Sequence, residues 1–279
     1  MKDKFFVKDH SVSQENFQLI YDEDLDMYKT FPQPSIEQLP KYYESDDYIS
    51  HTDSKRNLTE ILYHTVRKFS LKNKLRLINQ YGRGKNLLDV GCGTGEFLKI
   101  ANENAWEIKG IEPDTKARAL ANEKTQNSVF DYDQLQSFRF AQFDVITLWH
   151  VLEHLPNLDK QISIFKSLLK EDGRLLIAVP NFNSYDANHY GENWAAFDAP
   201  RHLWHFSKTS IEKIFRKNGM VVEKHIPMKF DSFYVSLLSE KYKSGSSNYF
   251  NAFWQGLKSN LYAMTSGEYS SLIYVIKKA

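Results

Sequence analysis

The sequence has a single cysteine, Cys92, in 279 residues. That excludes an intramolecular disulfide and a cysteine-rich zinc site. It has no excess of either charge, with 36 Lys and Arg against 35 Asp and Glu. No global field therefore calls for nucleic acid or an anionic membrane, although a local patch escapes such a count. No apolar run approaches the length of a membrane span. The opening MKDKFFVKDH lacks the apolar stretch of a secretory signal. With so little cysteine, these absences predict a cytoplasmic protein. Internal repeats and long low-complexity tracts are missing as well. What is present, 42% hydrophobic and 25% charged residues, suits a globular chain with an ample core.

The chain divides near residue 80. Before it, YDEDLD (21–26) and ESDD (44–47) read as solvated acidic surface, and FPQP (31–34) as a loop. Residues 1–80 are expected to form a cap, and 81–279 the main domain. Within the first part, Leu58, Ile61, Leu62, Val66, Phe69, Leu75 and Ile78 recur at helical spacing up to the glycines of YGRG. Beyond it, short apolar runs alternate with helical segments. Strands are expected at 86–90, 106–111, near 128–130, and at 143–149, 174–180, 221–226 and the C-terminal SLIYVIKK. Helices are expected from Gly95, Asp114, Leu158 and Ser207, the EDG of 171–173 closing the third of these. This alternation predicts an α/β fold, a doubly wound, mostly parallel sheet covered on both faces. Residues 227–270, before the last strand, are an insertion, with KSGSS (243–247) as its flexible loop.

The sharpest stretch is LLDVGCGTGEFL, residues 87–98. A strand ends at Asp89 and Val90, and Gly91, Cys92, Gly93, Thr94 and Gly95 turn tightly into a helix. Glycines there allow positive φ and close approach of a ligand, and the helix presents free N–H groups. The spacing is G-x-G-x-G, whereas a dinucleotide fingerprint is G-x-G-x-x-G, so a hydride-transferring oxidoreductase is disfavoured. Glu112 of GIEPD ends the second strand, 17 residues after Gly95.

These residues closely resemble the first motifs of class I S-adenosylmethionine-dependent methyltransferases. The resemblance implies a seven-stranded sheet of order 3-2-1-4-5-7-6 and S-adenosylmethionine as cofactor. It implies that Asp89, Gly91, Cys92, Gly93 and Gly95 hold the methionyl portion and that Glu112 holds the ribose. Asp131 would reach the adenine, with Asp133 an equal alternative. Leu148, Trp149 and His150 would border the pocket. FDVITLWHVLEHLPN and NWAAFDAPRHLWHFSKTSIEKIFRKNGM resemble the subgroup that includes ubiquinone-biosynthesis O-methyltransferases. Related chains often carry a zinc-binding N-terminal segment; here residues 1–40 have no cysteine, and the zinc site does not carry over. YYESDDYISH (42–51) resembles the subgroup's tyrosine-rich closing segment, which makes Tyr48 a candidate substrate contact.

Methyl transfer to a hydroxyl needs alignment and usually a base. His150, His154 and His202 are the candidates, all in segments expected at the C-terminal edge of the sheet, as is His205. Arg201 suits a carboxylate or phosphate on the acceptor or a structural ion pair; Trp194 and Phe197 suit an acceptor pocket or plain core. His150, Glu153 and His154 also spell H-x-x-E-H, a zinc-protease signature. That reading needs a helical turn, a further ligand and an open metal position, yet Pro156 leaves one short turn. No resident metal is expected, with Mg²⁺ held by Glu153 and its neighbours as a variant. The functional expectation is methylation of a small-molecule acceptor, preferably on oxygen. The alternatives are a non-catalytic cofactor-binding protein on the same fold and a zinc hydrolase. No nucleic-acid or membrane partner is expected, and oligomeric state is left open.

Overall fold

Phe17 and Leu19 are buried while their neighbours Asn16, Gln18 and Ile20 are more exposed, the period-two pattern of a half-covered strand. The computed structural model describes residues 3–35, 37–43 and 58–279, and only the backbone of 58–66. Strands β1 (Lys4–Lys8), β2 (Asn16–Asp22) and β3 (Met27–Phe31) form an antiparallel sheet. Most of the acidic run YDEDLD is the turn of the β2–β3 hairpin, where the Asp22 carboxylate accepts from the Leu25 N–H at 3.0 Å. This small sheet is a structural addition to the surface and loops expected there.

Helix α1 (Leu58–Tyr81) leads into the main sheet. Its elements in chain order are β4 (Asn86–Val90), α2 (Glu96–Glu103), β5 (Glu107–Ile111), α3 (Thr115–Thr125), β6 (Val129–Phe130), β7 (Phe143–Trp149), α4 (Leu158–Leu168) and β8 (Leu169–Pro180). Then come α5 (Tyr185–Tyr190), β9 (Trp204–His205), α6 (Lys208–Lys217), β10 (Met220–Pro227), α7 (Asp231–Ser244), α8 (Tyr249–Ser266) and β11 (Ser271–Lys278). The seven strands lie in the order β10-β11-β8-β7-β4-β5-β6, which is the expected 3-2-1-4-5-7-6. β6, β5, β4, β7 and β8 run parallel, and β11 is antiparallel to both β8 and β10.

Local signals set the boundaries. The Asp114 carboxylate caps α3 by accepting from Ala117 N–H at 2.7 Å. Ser207 and Ser210 form a reciprocal capping box at α6. The fifth strand departs from expectation: it begins at Leu169 rather than 174, and EDG lies inside it. Leu169 pairs with Phe143, and an irregularity follows before Val145 pairs with Arg174. Pairing with β7 thus extends the strand past a glycine that locally reads as a stop.

Three apolar clusters result. One face of the main sheet packs on Ile162 and Phe165 of α4 and Ile211 and Phe215 of α6. The other packs on Leu77 and Ile78 of α1 and Phe97 and Leu98 of α2. The third joins Val7, Phe17, Leu19 and Tyr28 of the small sheet to Phe182, Trp194 and Phe197. Because β9 pairs with β3, the small sheet is tied to a segment nearly 180 residues away. Among the described residues no helix is long and apolar enough to cross a membrane.

Candidate functional site

The glycine turn stands at the C-terminal end of β4. Gly91, Gly93 and Gly95 all have positive φ, of 69°, 54° and 77°, which non-glycine residues adopt only at a cost. A Cβ on Gly91 would lie 2.4 Å from Val151 Cγ2, whereas one on Gly93 would meet nothing within 4 Å. The turn is thus pressed against the rim after β7 on one side and open on the other.

The buried Glu112 side chain closes the turn from β5. One carboxylate oxygen accepts from Gly93 N–H at 2.8 Å and the other from Asp114 N–H at 3.0 Å. Each oxygen keeps a lone pair for a further donor, as a diol requires. Asp131 lies beside it, held by Arg118 at 2.9 Å. The Cys92 thiol is pushed up by burial and by the carboxylates of Asp89 and Glu112, so it stays protonated and unreactive.

Asp89 is 2% exposed and accepts from Thr147 Oγ1 at 2.6 Å. Burial outweighs that bond and the nearby Lys74 and raises its carboxyl to about 7. Lys74, from α1, is lowered by burial, against the opposing pull of Asp89 and Asp231. Its ammonium stands 4.7 Å from the Trp149 ring centre. The Trp149 indole N–H is buried without a hydrogen-bond partner. A half-buried lysine, a buried carboxylate and a vacant N–H donor beside an open glycine turn suit a zwitterionic ligand, such as the amino-acid end of S-adenosylmethionine. Leu148, fully buried, backs this group.

The H-x-x-E-H residues do not share a helical turn. Only Leu152–His154 form one short 3₁₀ turn, and His150 precedes it with φ of 58°. His150 sits between Glu153, 3.4 Å from Nδ1, and Asp231 of α7, 3.2 Å from Nε2. Burial alone would lower its pKa; the two carboxylates outweigh burial and raise it to about 10. It is therefore a cation at neutral pH. His154 is the reverse case, lowered to about 4 by burial and by His202. His154 Nδ1 lies 3.0 Å from both Arg201 O and Tyr43 Oη, and His202 Nδ1 lies 2.9 Å from Ala196 O. With Nδ1–H donating to those carbonyls, each ring leaves Nε2 as an acceptor. The rings meet edge to face at 4.5 Å.

Glu153 is 1% exposed, and neither carboxylate oxygen receives a hydrogen bond. Ligand atoms of Glu153, His154 and His202 all lie within 4.8 Å of one another. The protease-like triad is thus corrected: His150 turns to Asp231, and His202 takes its place. Carbonyl-oriented imidazoles beside a carboxylate that accepts no hydrogen bond also suit a divalent cation.

Arg201 is buried, and its donors are committed to protein. It pairs with Asp198 at 2.6 Å and Asp9 at 3.1 Å and donates to Tyr42 O and Ser11 Oγ. No fork is left for an acceptor. Trp194 is likewise core: it packs on Phe197 at 5.0 Å, and its indole donates to Asp186. His205 is buried against Thr30. Tyr48 lies outside the described residues. Lys74, Thr147 and Asp231 join the site without having been foreseen, and Tyr43 joins it from the tyrosine-rich segment in which Tyr48 had been singled out. Of the first three, a signal existed for Lys74, a lysine on the apolar stripe that contains Leu71, Leu75 and Ile78.

Comparison with known proteins bears on this geometry. Residues 62–225 match the family described as "Methyltransferase domain". The chain is 36% identical over 127 residues to a ubiquinone biosynthesis O-methyltransferase of Actinobacillus pleuropneumoniae serotype 5b, covering 40% of this chain and 54% of that protein. It is 33% identical over 109 residues to the enzyme of the same name from Glaesserella parasuis serovar 5, covering 35% and 46%. The matches span about half the length of these curated relatives. Among solved structures, magnesium protoporphyrin IX methyltransferase from Synechocystis PCC 6803 with bound SAH superposes with a TM-score of 0.56 at 16% identity, covering 85% of this chain and 97% of that one. Geranyl diphosphate C-methyltransferase from Streptomyces coelicolor A3(2) superposes with 0.54 at 13% identity, covering 85% and 87%. At such identities these two attest the fold alone.

Proposed function

The chain belongs to the class I S-adenosylmethionine-dependent methyltransferases, and we propose that it methylates a hydroxyl of a small-molecule acceptor. The observation that carries the oxygen preference is the pair of imidazoles, His154 and His202, each with Nδ1 on a backbone carbonyl, beside the buried Glu153 carboxylate on the rim after β7. The named relatives, both O-methyltransferases, support it. When bound, the cofactor supplies an electrophilic methyl carbon on a sulfonium. Asp89 takes its ammonium group, Lys74 and the Trp149 N–H its carboxylate, and Glu112 its ribose hydroxyls. Asp131 stands toward the adenine end. His202 or His154 accepts the acceptor's proton at Nε2, and the Glu153 carboxylate stabilises the imidazolium that forms. His150, a cation held by two carboxylates, is not a base at neutral pH.

The test is methyl transfer to a panel of phenols, catechols, amines and carbon acids, with cofactor binding measured in parallel. Turnover confined to amines or carbon acids would refute the oxygen assignment. Cofactor binding without turnover on any class would favour a non-catalytic protein. Glu112→Ala is expected to weaken cofactor binding by about 1–3 kcal/mol, the scale of lost hydrogen bonds to a charged group. Isothermal titration with S-adenosylhomocysteine checks this, and unchanged affinity removes Glu112 from the site.

The buried Glu153 carboxylate, whose oxygens accept no hydrogen bond, supports a second reading, in which Glu153, His154 and His202 hold a divalent cation. Such an ion would orient and polarise the acceptor hydroxyl. Elemental analysis and metal titration of the purified protein are expected to show about one Zn²⁺ or Mn²⁺ per chain, lost in His202→Ala and kept in His150→Ala. Retention of metal by His202→Ala would exclude this site.

A further inference from the structure

The insertion before the last strand is a hairpin of two helices, and α8 packs on one side and is apolar on the other. Its inner side, Ala252, Gln255, Gly256, Ser259 and Ala263, is buried. Its other side faces outward: Phe250 is 74% exposed, Phe253 54%, Trp254 44%, Leu261 56% and Met264 72%. At about 100° per residue these five fall within an arc of roughly 100°, opposite the packed side. Tyr249 and Tyr262 flank the stripe, and Phe230 at the base of α7 is also exposed. Phe230 meets the exposed Phe69 of α1 edge to face at 5.4 Å, so the apolar surface continues onto a second element. A patch of this kind on a water-soluble surface marks an interaction site.

The charges of the hairpin indicate what covers it. Residues 227–270 contain four lysines, Lys229, Lys241, Lys243 and Lys258, all exposed. They contain three acids, each turned inward and partnered. Asp231 faces His150, Glu240 accepts from Tyr190 and Asn251, and Glu268 pairs with Lys208. The outer surface of the hairpin thus offers aromatic and aliphatic side chains among lysines and no free carboxylate. A second copy docking on the same face would bring like charges together. An anionic lipid surface meets both features, since apolar and aromatic side chains enter the headgroup boundary while lysines remain at the charged plane.

We propose that the α7–α8 hairpin is a peripheral docking surface for anionic lipid bilayers, with the outward stripe of α8 lying in the plane of the interface. The near-neutral whole-chain charge conceals this, because the acids that cancel the hairpin lysines lie elsewhere or point inward. The hairpin root contacts His150 through Asp231, so a docked molecule carries its site close to the lipid.

The full chain should be sedimented with phosphatidylcholine vesicles and with phosphatidylcholine vesicles containing phosphatidylglycerol. Binding is expected to the second alone and to fall with added salt. Phe250→Ser combined with Met264→Ser, and separately Lys241→Glu combined with Lys258→Glu, are each expected to weaken it by about tenfold or more. Because the four positions are exposed, unchanged thermal unfolding and S-adenosylhomocysteine affinity should accompany the loss. Absence of binding to anionic vesicles would overturn the proposal, as would variants that bind like the parent. So would a dimer in sedimentation equilibrium that Phe250→Ser with Met264→Ser converts to monomer, which would assign the face to a second copy.

Discussion

Asp89→Asn is expected to abolish most cofactor affinity while leaving the free protein as stable as the parent, or more so. In the free protein burial lifts the Asp89 carboxyl to about 7. A carboxyl with a raised folded-state pKa contributes stability that is full below its unfolded value. That stability is lost as pH rises through the folded value. At pH 8 the parent carries a poorly solvated buried anion, and asparagine, which can still accept from Thr147, removes it. In the proposed site the cofactor ammonium requires the opposite, an ionised Asp89. Affinity in the parent should therefore tighten by up to about tenfold per pH unit as pH rises toward 7 and level off above it. Asp89→Asn should bind about 10–150-fold more weakly at pH 8, the loss of a hydrogen bond to a charged group. It should also lack the Asp89 component of the pH dependence. Calorimetric titration with S-adenosylhomocysteine across pH 5.5–8.5, paired with thermal unfolding, reads both effects. A variant that unfolds earlier and loses affinity at pH 8 would place Asp89 in a structural role.

Arg201→Ala should produce the largest loss of stability among the residues considered. Its guanidinium joins Asp9 on the turn after β1 to Asp198 and to the backbone at Tyr42. Asp9 is 1% exposed. Removing the cation leaves the buried Asp9 carboxylate with only the hydrogen bonds of its own turn, from Ser11, Val12 and Ser13, and breaking a buried pair in this way typically costs about 3–5 kcal/mol. For a chain of this size that is a fall in unfolding temperature of roughly 6–20 °C. Arg201→Lys should recover only part, because a single ammonium cannot span both carboxylates and the carbonyl. Cofactor affinity should hold at temperatures where the variant is folded, since Arg201 meets neither the glycine turn nor Glu112. Scanning calorimetry checks the first expectation. Intact stability with lost acceptor turnover would return Arg201 to an acceptor-binding role.

The different fates of the predicted residues have one physical origin. The glycine turn, Asp89 and Glu112 are placed by the chain immediately around them. A strand end, a positive-φ turn and a helix start within ten residues leave little freedom, and Glu112 follows at the end of the adjacent parallel strand. The histidines were legible as a group, because each falls on a segment leaving the same sheet edge. Their division of labour was not. His150 is charged because Asp231 reaches it from α7, and His154 is neutral because burial and His202, 48 residues away, lower its pKa.

The sequence by itself therefore determined the alternation of strands and helices through short-range periodicity, and the glycine turn with its neighbouring carboxylates through turn chemistry, while the family and the strand order were legible through the resemblance of those motifs. Tertiary structure decided the rest. It took His150 out of H-x-x-E-H and brought His202 in, committed Arg201 and Trp194 to the interior, and delivered Lys74 to Asp89. It also turned one apolar side of α8 outward. Those outcomes depend on which segments meet across the sheet edge, and burial and charge pairing there override what local spacing implies.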